Sequence, residues 1–331
     1  MAEIKKVLLT AYVGEDAKKK LAEAFAPAEV KFVLFMDKPK ILEEVKDADV
    51  AILNGDVESD VLAAGKNLKW IHSCRAGQDK SDLEEIFRRG IIMTSSAGKS
   101  APAIGEHAFM FMIALTYDVP MLERAKKDHK WAVSREYFMR TGMFGKTVGI
   151  LGLGRNGLEV AKLCKSAFNM KVLGYRLDKI ESEYVDRCYA VEDGESYDDI
   201  LKESDFIVLC LELNDSTYHM IGKEQFAKMK KSAYLINVGR GGLVDEPAMI
   251  AAIHNKEIAG AGLDTFETEP LPADSPLWDE ANVMITPHIT PQLPDRDERT
   301  ISYVLKNIDA YRNNGTMTNL VRPTSILSEK K

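Results

Sequence analysis

The sequence predicts an α/β protein with two doubly wound parallel-sheet domains, because it contains two series of alternating strands and helices and one glycine-rich turn. The first series lies in residues 1–100, and the second begins at the apolar segment TVGILG, residues 147–152. Short apolar runs separated by amphipathic segments are typical of a mainly parallel sheet. The length of 331 residues exceeds that of most single domains and also favours two.

The amino-acid composition and net charge of the chain limit the kinds of molecule that it is expected to bind. Apolar residues make up 45% of the chain and charged residues 29%, with a formal net charge of −7. Nucleic acids and anionic membranes are held by basic patches, so this charge argues against both and favours a small-molecule partner. The longest apolar run, AFMFMIALTY at 108–117, is about half the roughly 20 residues that cross a bilayer as a helix, and we expect a buried helix there.

The N-terminus and the cysteines bear on location and metal binding. The first residues, MAEIKKVLLTA, lack the apolar core and cleavage site of a secretory signal, which favours a cytoplasmic location. The four cysteines have neither metal-site spacing nor the density of a disulfide scaffold. We therefore expect reduced thiols and no metal site at Cys74, Cys164, Cys188 and Cys210.

The first series contains five candidate strands with amphipathic segments between them. The strands are VLLTA, VKFVLF, ADVAILN, LKWIHS and IIMTSS. A helix over about 101–117 then leads to the second series, whose strands are TVGILG, KVLGYR, FIVLCLE, AYLINVG, GAGLDTF and NVMITPH. Beyond residue 291, apolar residues at helical spacing predict a C-terminal helix: Ile301, Val304, Leu305, Ile308 and Tyr311.

The turn GLGRNG, residues 152–157, predicts a dinucleotide site because a strand precedes it and a helix and second strand follow. Gly152 permits the tight turn, Gly154 lets the backbone approach a pyrophosphate, and Gly157 allows close packing of helix on strand. The N-terminus of the helix, which includes Arg155 and Asn156, offers free N–H groups to the phosphates.

Later strands end in polar residues that together match one reaction. Arg240, Asp264, Glu267, Glu269 and His288 each follow a predicted strand, and each taken singly is usually a surface or loop residue. At the carboxyl edge of one sheet they can converge on a bound nicotinamide. An imidazole can give a proton to a carbonyl oxygen, a carboxylate can orient it, and a guanidinium can bind the carboxylate of a 2-oxo acid.

With these residues in place, the chain resembles the D-isomer-specific 2-hydroxyacid dehydrogenase family over nearly its whole length. The matching stretches, in the family's order, are LKWIHSCRAGQD, GEHAFMFMIAL, FGKTVGILGLGRNG, NDSTYHMIG, MKKSAYLINVGRGGLVDE, AGLDTFETEP and NVMITPH. The resemblance implies a reductase, similar to hydroxypyruvate and glyoxylate reductases, that transfers hydride from NAD(P)H to a small 2-oxo acid and forms a D-2-hydroxy acid.

The resemblance also implies the domain arrangement. A Rossmann cofactor domain, 101–290, is inserted in a flavodoxin-like substrate domain, 1–100 plus 291–331. Members of the family are typically homodimers joined through their cofactor domains, and we expect the same here.

Site residues follow from the resemblance motif by motif. Arg240 resembles the substrate-binding arginine and His288 the general acid. Glu269, the glutamate immediately before proline, resembles the carboxylate paired with that histidine. Asp264 matches the residue that holds the nicotinamide carboxamide, and Val238 lies in the segment that lines the cofactor.

One further segment, in the first series of strands, matches the family, and at three places the chain departs from the family's usual sequence. Arg75, Ala76 and Gly77 match the loop whose backbone N–H groups receive the substrate carboxylate. Asn156 replaces an aliphatic residue in the glycine turn, and Glu212 replaces a common proline. The sequence ITPQLPD after the histidine replaces a smaller, glycine-containing segment, so we expect a differently shaped pocket.

The residue at the end of KVLGYR bears on the choice of cofactor. In NAD-binding units an acidic residue there accepts hydrogen bonds from the ribose hydroxyls, whereas this chain has Arg176. A guanidinium donates to phosphate oxygens, and Lys179 is a second cation close by, so the sequence favours NADP(H). Asp178 lies two residues on and reaches the ribose if the strand ends later, which leaves NAD(H) open.

A second function class is a dinucleotide-sensing interaction protein, because some relatives on this fold are transcriptional corepressors. Such proteins can keep the catalytic residues. The absence of basic patches and of long low-complexity tails favours the enzyme.

Overall fold

The computed structural model describes residues 3–10, 13–131, 142–313 and 315–328. The chain forms two compact units. One unit consists of Met1–Lys99 and Leu293–Lys331, and the other of Ser100–Gln292.

The first unit is built on a five-stranded parallel sheet. Its strands are β1 (Lys6–Leu9), β2 (Glu29–Phe32), β3 (Val50–Leu53), β4 (Trp70–Ser73) and β5 (Ile92–Ser95). Its N-terminal helices are α1 (Glu15–Phe25), α2 (Lys38–Glu44), α3 (Ser59–Ala64) and α4 (Leu83–Arg88). The strand order β2-β1-β3-β4-β5 is the doubly wound order of flavodoxin-like folds.

The second unit is built on a seven-stranded parallel sheet. Its strands are β6 (Thr147–Leu151), β7 (Lys171–Arg176), β8 (Arg187–Ala190), β9 (Phe206–Leu209), β10 (Tyr234–Asn237), β11 (Gly260–Leu263) and β12 (Val283–Ile285). Its helices in the described ranges are α5 (Ala101–Thr116), α6 (Val119–Lys127), α7 (Arg155–Phe168), α8 (Asp198–Glu203), α9 (Lys223–Lys228) and α10 (Glu246–His254). The order β8-β7-β6-β9-β10-β11 is the Rossmann order, and β12 extends it. The two parallel sheets confirm the predicted fold class.

Helix α5 forms from the apolar run that the sequence analysis singled out. Most of its residues are apolar, and Ala108, Phe111 and Met112 are completely buried in one core of the second unit. A helix that is apolar around most of its circumference belongs inside a protein or a membrane. No helix among the described residues is both long enough and apolar enough to span a membrane.

The C-terminal helix α11 (Arg296–Arg312) packs on the sheet of the first unit. Its apolar stripe, which includes Ile301, Val304 and Ile308, is buried in the same cluster as Leu21 of α1. The ring of Tyr311 stacks on that of Trp70 with 5.4 Å between centroids. The helical spacing read from the sequence therefore marks the face that this helix buries.

His72 lies in β4 and is completely buried in the first unit. Its Nδ1 lies 2.9 Å from Oγ1 of Thr94 and its Nε2 lies 3.0 Å from Oγ of Ser96. Thr94 Oγ1 also accepts a hydrogen bond from Nε1 of Trp70, so the ring of His72 belongs to a buried network of hydrogen bonds. Burial, with a smaller contribution from the charge of Lys99, lowers the pKa of His72 to about 3.

Stability of the first unit should therefore fall in mild acid. Below about pH 6.5 the unfolded chain protonates His72 whereas the folded chain does not, so the free energy of unfolding decreases by up to about 1.4 kcal/mol per pH unit until about pH 3. Urea unfolding at about pH 7 and about pH 5 measures this loss. His72→Gln should show less of it than the parent.

The matched control is His254→Gln, which removes a histidine that is 77% exposed in its side chain. That variant should keep the parental decrease, because an exposed ion pair contributes little to stability. Equal pH dependence in the parent and in His72→Gln would exclude the buried ring as the cause.

Candidate active site

Several residues of the predicted site lie at or directly beyond the ends of strands of the seven-stranded sheet. Parallel strands present their carboxyl ends at one edge of a sheet, which is where α/β proteins bind ligands. The residues at or directly beyond those ends are Gly152 after β6, Arg176 at the end of β7, Val238 after β10, Asp264 after β11 and Thr286 after β12.

The glycine turn has the geometry of a dinucleotide cradle. Gly152 has φ +100°, and a Cβ there would lie 2.8 Å from the carbonyl carbon of Cys210. A Cβ on Gly157 would lie 2.2 Å from the carbonyl oxygen of Gly152, whereas a Cβ on Gly154 would meet nothing within 4 Å. The turn thus requires glycine at two positions and leaves an open backbone surface at the third.

The N-terminus of α7 fits the phosphates of a dinucleotide. Gly154 precedes Arg155 as the N-cap residue and has no side chain to bond the first N–H groups, and the first turn contains no acidic residue. Such a helix end attracts anions through its N–H groups and its dipole. In addition, the buried Oδ1 of Asn156 has no hydrogen-bond partner among the described residues, which leaves an acceptor for a ligand.

Arg176, at the end of β7, donates hydrogen bonds to a backbone carbonyl and to a carboxylate. Its Nη1 donates to the carbonyl oxygen of Leu153 at 3.2 Å, and its Nη2 donates to Oδ1 of Asp178 at 2.7 Å. Its buried Nε has no partner within the described part of the chain. Lys179 is paired with Asp193 at 3.2 Å. Arg176 and Asp178, which the sequence analysis weighed against each other for the choice of cofactor, therefore form an ion pair.

His288 and Glu269 form a hydrogen-bonded pair. Nδ1 of His288 lies 2.8 Å from Oε2 of Glu269, and the other carboxylate oxygen accepts a bond from the backbone N–H of Phe266 at 3.1 Å. The two side chains are 38% and 34% exposed. Glu269 is thus fixed at one oxygen and orients the imidazole of His288 through the other.

Arg240 lies in a turn that is shaped by Asn237. The buried Asn237 amide donates to the carbonyl oxygen of Arg240 at 2.8 Å and accepts from the N–H of Gly239 at 3.1 Å. Nη1 of Arg240 donates to the carbonyl oxygen of Gly239 at 2.8 Å. The last residue of β10 therefore sets the backbone from which the guanidinium projects.

Close backbone packing joins the Arg240 segment to the Glu269 segment. A Cβ on Gly241 would lie 1.9 Å from the carbonyl carbon of Phe266 and 2.3 Å from the nitrogen of Glu267. No side chain fits between these two backbones. The structure thereby packs the segment of Arg240 directly against the segment of Glu269.

Asp264 and Val238 are both buried. The carboxylate of Asp264 accepts hydrogen bonds from the hydroxyl of Thr286 and from the N–H groups of Ile289 and Thr290. Val238 is 7% exposed directly beyond β10. The contact of Asp264 with a carboxamide and that of Val238 with a cofactor stay predictions.

Two histidines near the site were not singled out in the sequence. Nε2 of His219 bonds Oε1 of Glu267, whose N–H donates to Oε2 of Glu246 at 3.3 Å. Burial raises the pKa of Glu246, and the charge of Glu267 adds to this. His107 contacts Thr286 from α5. Both histidines lie within stretches that match the family, which was the only available signal, since their partners are distant in sequence.

The Arg75–Gly77 loop belongs to the first unit. Nη1 of Arg75 lies 2.9 Å from Oδ2 of Asp56, and the arginine side chain is 58% exposed. The roles of Arg75, Ala76 and Gly77 toward a substrate stay predictions.

Among the described residues, no group of three or more histidine, cysteine or acidic side chains is arranged to hold a metal ion. The four cysteines are free thiols. Burial raises the pKa of Cys74, Cys164 and Cys210 to about 12, so these three stay protonated.

Comparison with known proteins gives the same family from sequence and from structure. The family model described as "D-isomer specific 2-hydroxyacid dehydrogenase, NAD binding domain" matches residues 109–290. A glyoxylate reductase of Korarchaeum cryptofilum is 34% identical over 320 residues, which are 96% of this chain and 95% of that protein. A D-3-phosphoglycerate dehydrogenase of Methanocaldococcus jannaschii is 34% identical over 98% of this chain, which spans 61% of that longer protein.

Solved structures agree with the sequence relatives. An NADPH-dependent glyoxylate/hydroxypyruvate reductase from Sinorhizobium meliloti, in complex with NADP and sulfate, superimposes with a TM-score of 0.79 at 25% identity. That match covers 96% of this chain and 98% of that one. The chain belongs to the D-isomer specific 2-hydroxyacid dehydrogenase family, and residues 109–290 are its NAD-binding domain.

Proposed function

We propose that the protein reduces a small 2-oxo acid to the D-2-hydroxy acid with a reduced nicotinamide dinucleotide. The observation that carries the proposal is the 2.8 Å pair of His288 and Glu269, in the unit that holds the glycine turn. A proton donor for a carbonyl oxygen beside a dinucleotide site suits carbonyl reduction. The bound nicotinamide supplies the hydride.

His288 is the general acid in this proposal. Its Nδ1–H donates to Glu269, so the proton on Nε2 is the one available to the oxo oxygen of the substrate. The carboxylate of Glu269 stabilises the imidazolium before transfer and holds the plane of the ring afterwards.

Arg240 binds the substrate carboxylate. Its guanidinium presents two parallel N–H groups, which match the two oxygens of a carboxylate. The packing of Gly241 on Phe266 fixes the distance between the arginine segment and the segment of Glu269. Substrate carboxylate and substrate carbonyl are thereby held relative to each other.

The cofactor is held by the turn at Gly152–Gly157 and by the start of α7. Backbone N–H groups of Arg155 and Asn156 suit the pyrophosphate, and the amide oxygen of Asn156 is an additional acceptor for a ligand group. Val238 and Asp264 line the nicotinamide side of the site in this proposal.

The relatives support a small substrate and an enzyme. Those in Korarchaeum and Sinorhizobium are named as reductases of glyoxylate or of glyoxylate and hydroxypyruvate, and the Methanocaldococcus relative is named as a dehydrogenase. These names favour catalysis over the dinucleotide-sensing corepressor. We propose glyoxylate and hydroxypyruvate as the first substrates to test, with a homodimer through residues 101–290 as the assembly.

Arg176 leads us to propose NADPH as the preferred cofactor. The residue lies where an acidic side chain in an NAD-binding protein accepts hydrogen bonds from the ribose hydroxyls. The Nε–H of Arg176 has no partner among the described residues. Its bond to Asp178 opposes phosphate binding, because the carboxylate competes for the guanidinium and repels a 2′-phosphate. The preference therefore depends on which partner Arg176 takes when the cofactor is bound.

The reaction is tested with glyoxylate, hydroxypyruvate, pyruvate, phenylpyruvate and branched 2-oxo acids, each with NADPH and NADH. We expect turnover of at least one oxo acid in the parent and a loss of roughly 10²-fold or more in kcat for His288→Asn. The dissociation constant for reduced cofactor should hardly change. Near-parental turnover by the variant would remove His288 from the mechanism.

Replacing Glu269 tests the pair itself. Glu269→Gln keeps an oxygen for the N–H of Phe266 but loses the charge opposite Nδ1 of His288, so we expect kcat to fall by roughly tenfold or more with unchanged cofactor affinity. Glu267→Gln is the matched control, because that carboxylate faces His219. Equal kcat values for the two variants would argue against a special role for Glu269.

Two variants test the choice of cofactor in opposite directions. We expect the parent to favour NADPH over NADH by roughly tenfold or more in kcat/KM, equal to about 1.4 kcal/mol. Arg176→Asp should weaken or reverse this ratio, whereas Asp178→Asn should raise it by freeing the guanidinium. A parent that prefers NADH, with Asp178→Asn lowering that activity, would assign the ribose contact to Asp178.

A further inference from the structure

The backbone N–H groups of His288 and of the two residues after it are hydrogen-bonded to Thr286 and to the side chain of Asp264. The carboxylate of Asp264, which is 1% exposed, accepts from the N–H groups of Ile289 at 3.0 Å and Thr290 at 3.1 Å. The N–H of His288 donates to the carbonyl oxygen of Thr286 at 3.0 Å. Three successive N–H groups around the proposed proton donor are therefore satisfied by two residues.

The hydroxyl of Thr286 extends this arrangement to α5. It donates to Oδ1 of Asp264 at 2.6 Å, and its oxygen lies 2.9 Å from Nε2 of His107. Because the hydroxyl proton goes to the carboxylate, the oxygen accepts from Nε2–H of His107. Burial lowers the pKa of His107, against the opposing effect of the Asp264 charge, and the ring packs edge-on against Phe111.

This chain of bonds ends at a strained residue. His288 has φ +52°, in the left-handed region that residues with a Cβ rarely adopt. A backbone in that region persists when its surroundings determine it, and such residues are concentrated in functional sites. Here the determining contacts are the N–H bonds to Thr286 and Asp264.

We infer that His107, Thr286 and Asp264 form a positioning relay that holds the backbone of His288 in the conformation from which its ring meets Glu269. This inference rests on the proposed function and assigns roles to Thr286 and His107, neither of which the sequence analysis had selected. Asp264 acts in the relay through the backbone, whatever it contributes to the nicotinamide. The relay acts on geometry and moves no proton.

The test compares Thr286→Val, which has nearly the same shape and no hydroxyl, with Thr286→Ser, which keeps the hydroxyl. We expect kcat for the best oxo acid to fall roughly tenfold to hundredfold in the valine variant, because a small misplacement of a catalytic group is costly. The serine variant should stay within about threefold of the parent, and the dissociation constant for NADPH should stay within about threefold in both.

Thr265→Val is the matched control. The hydroxyl of Thr265 is buried beside Asp264 and has no hydrogen-bond partner among the described residues, so its removal deletes no bond of the relay. We expect parental kcat. An equal loss of kcat in Thr265→Val would attribute the effect to general disturbance of this loop and overturn the inference.

Amide hydrogen exchange over residues 286–292 gives a readout that needs no activity. The N–H groups of Ile289 and Thr290 should exchange faster in Thr286→Val than in the parent and Thr286→Ser. Unchanged exchange with unchanged kcat overturns the relay, as does weaker NADPH binding with unchanged kcat. If no oxo acid is turned over by the parent, the proposed function fails, and exchange alone still decides the relay.

A second pair of variants covers failure of Thr286→Val to fold, which thermal melting detects. His107→Gln can still donate to the hydroxyl of Thr286, whereas His107→Leu cannot. The relay predicts faster exchange at 289–290 and lower kcat in the leucine variant only. Equal behaviour of the two variants would contradict it.

Discussion

Parallel pairing of the seven strands obliges each of them to end at the same edge of the sheet. In register, Leu151 of β6 lies beside Leu209 of β9, Asn237 of β10 beside Leu263 of β11, and Leu263 beside Ile285 of β12. Neighbouring strands are about 4.8 Å apart, so residues that follow them are near neighbours whatever their separation in sequence. The glycine turn, the arginine, the glutamate and the histidine all depend on this arrangement.

The parts of this structure that depend on local backbone geometry could be predicted from the sequence. The turn at 152–157 requires glycine because of a positive φ and a backbone contact, and these needs leave a fixed spacing in the sequence. The fold class follows in the same way from apolar runs of strand length, and the family follows from motifs in their order. Glu269 was selected over Glu267 by the proline that follows it, and Glu269 is the one that bonds His288.

Side-chain contacts to which the family's motifs assign no role could not be predicted. His107 and Thr286 are 179 residues apart in sequence. His107 directly precedes an apolar run, and nothing in that local sequence distinguishes it from other residues of a buried helix. Arg176 and Asp178 are only two residues apart, yet their ion pair depends on where β7 ends and how the chain then turns. These contacts depend on tertiary packing, which a single sequence does not show directly.

The contact at Gly241 has a consequence for anyone who redesigns this enzyme. Two backbones pack there without an intervening side chain, so a displacement of the segment of Arg240 is transmitted to the segment of Glu269. Substitutions that enlarge or tilt one segment will displace the other, so the side chains of Arg240 and Glu269 will shift together. To accept substrates of a different shape, it is therefore better to change residues of the site outside these two segments. Every library should keep glycine at residue 241.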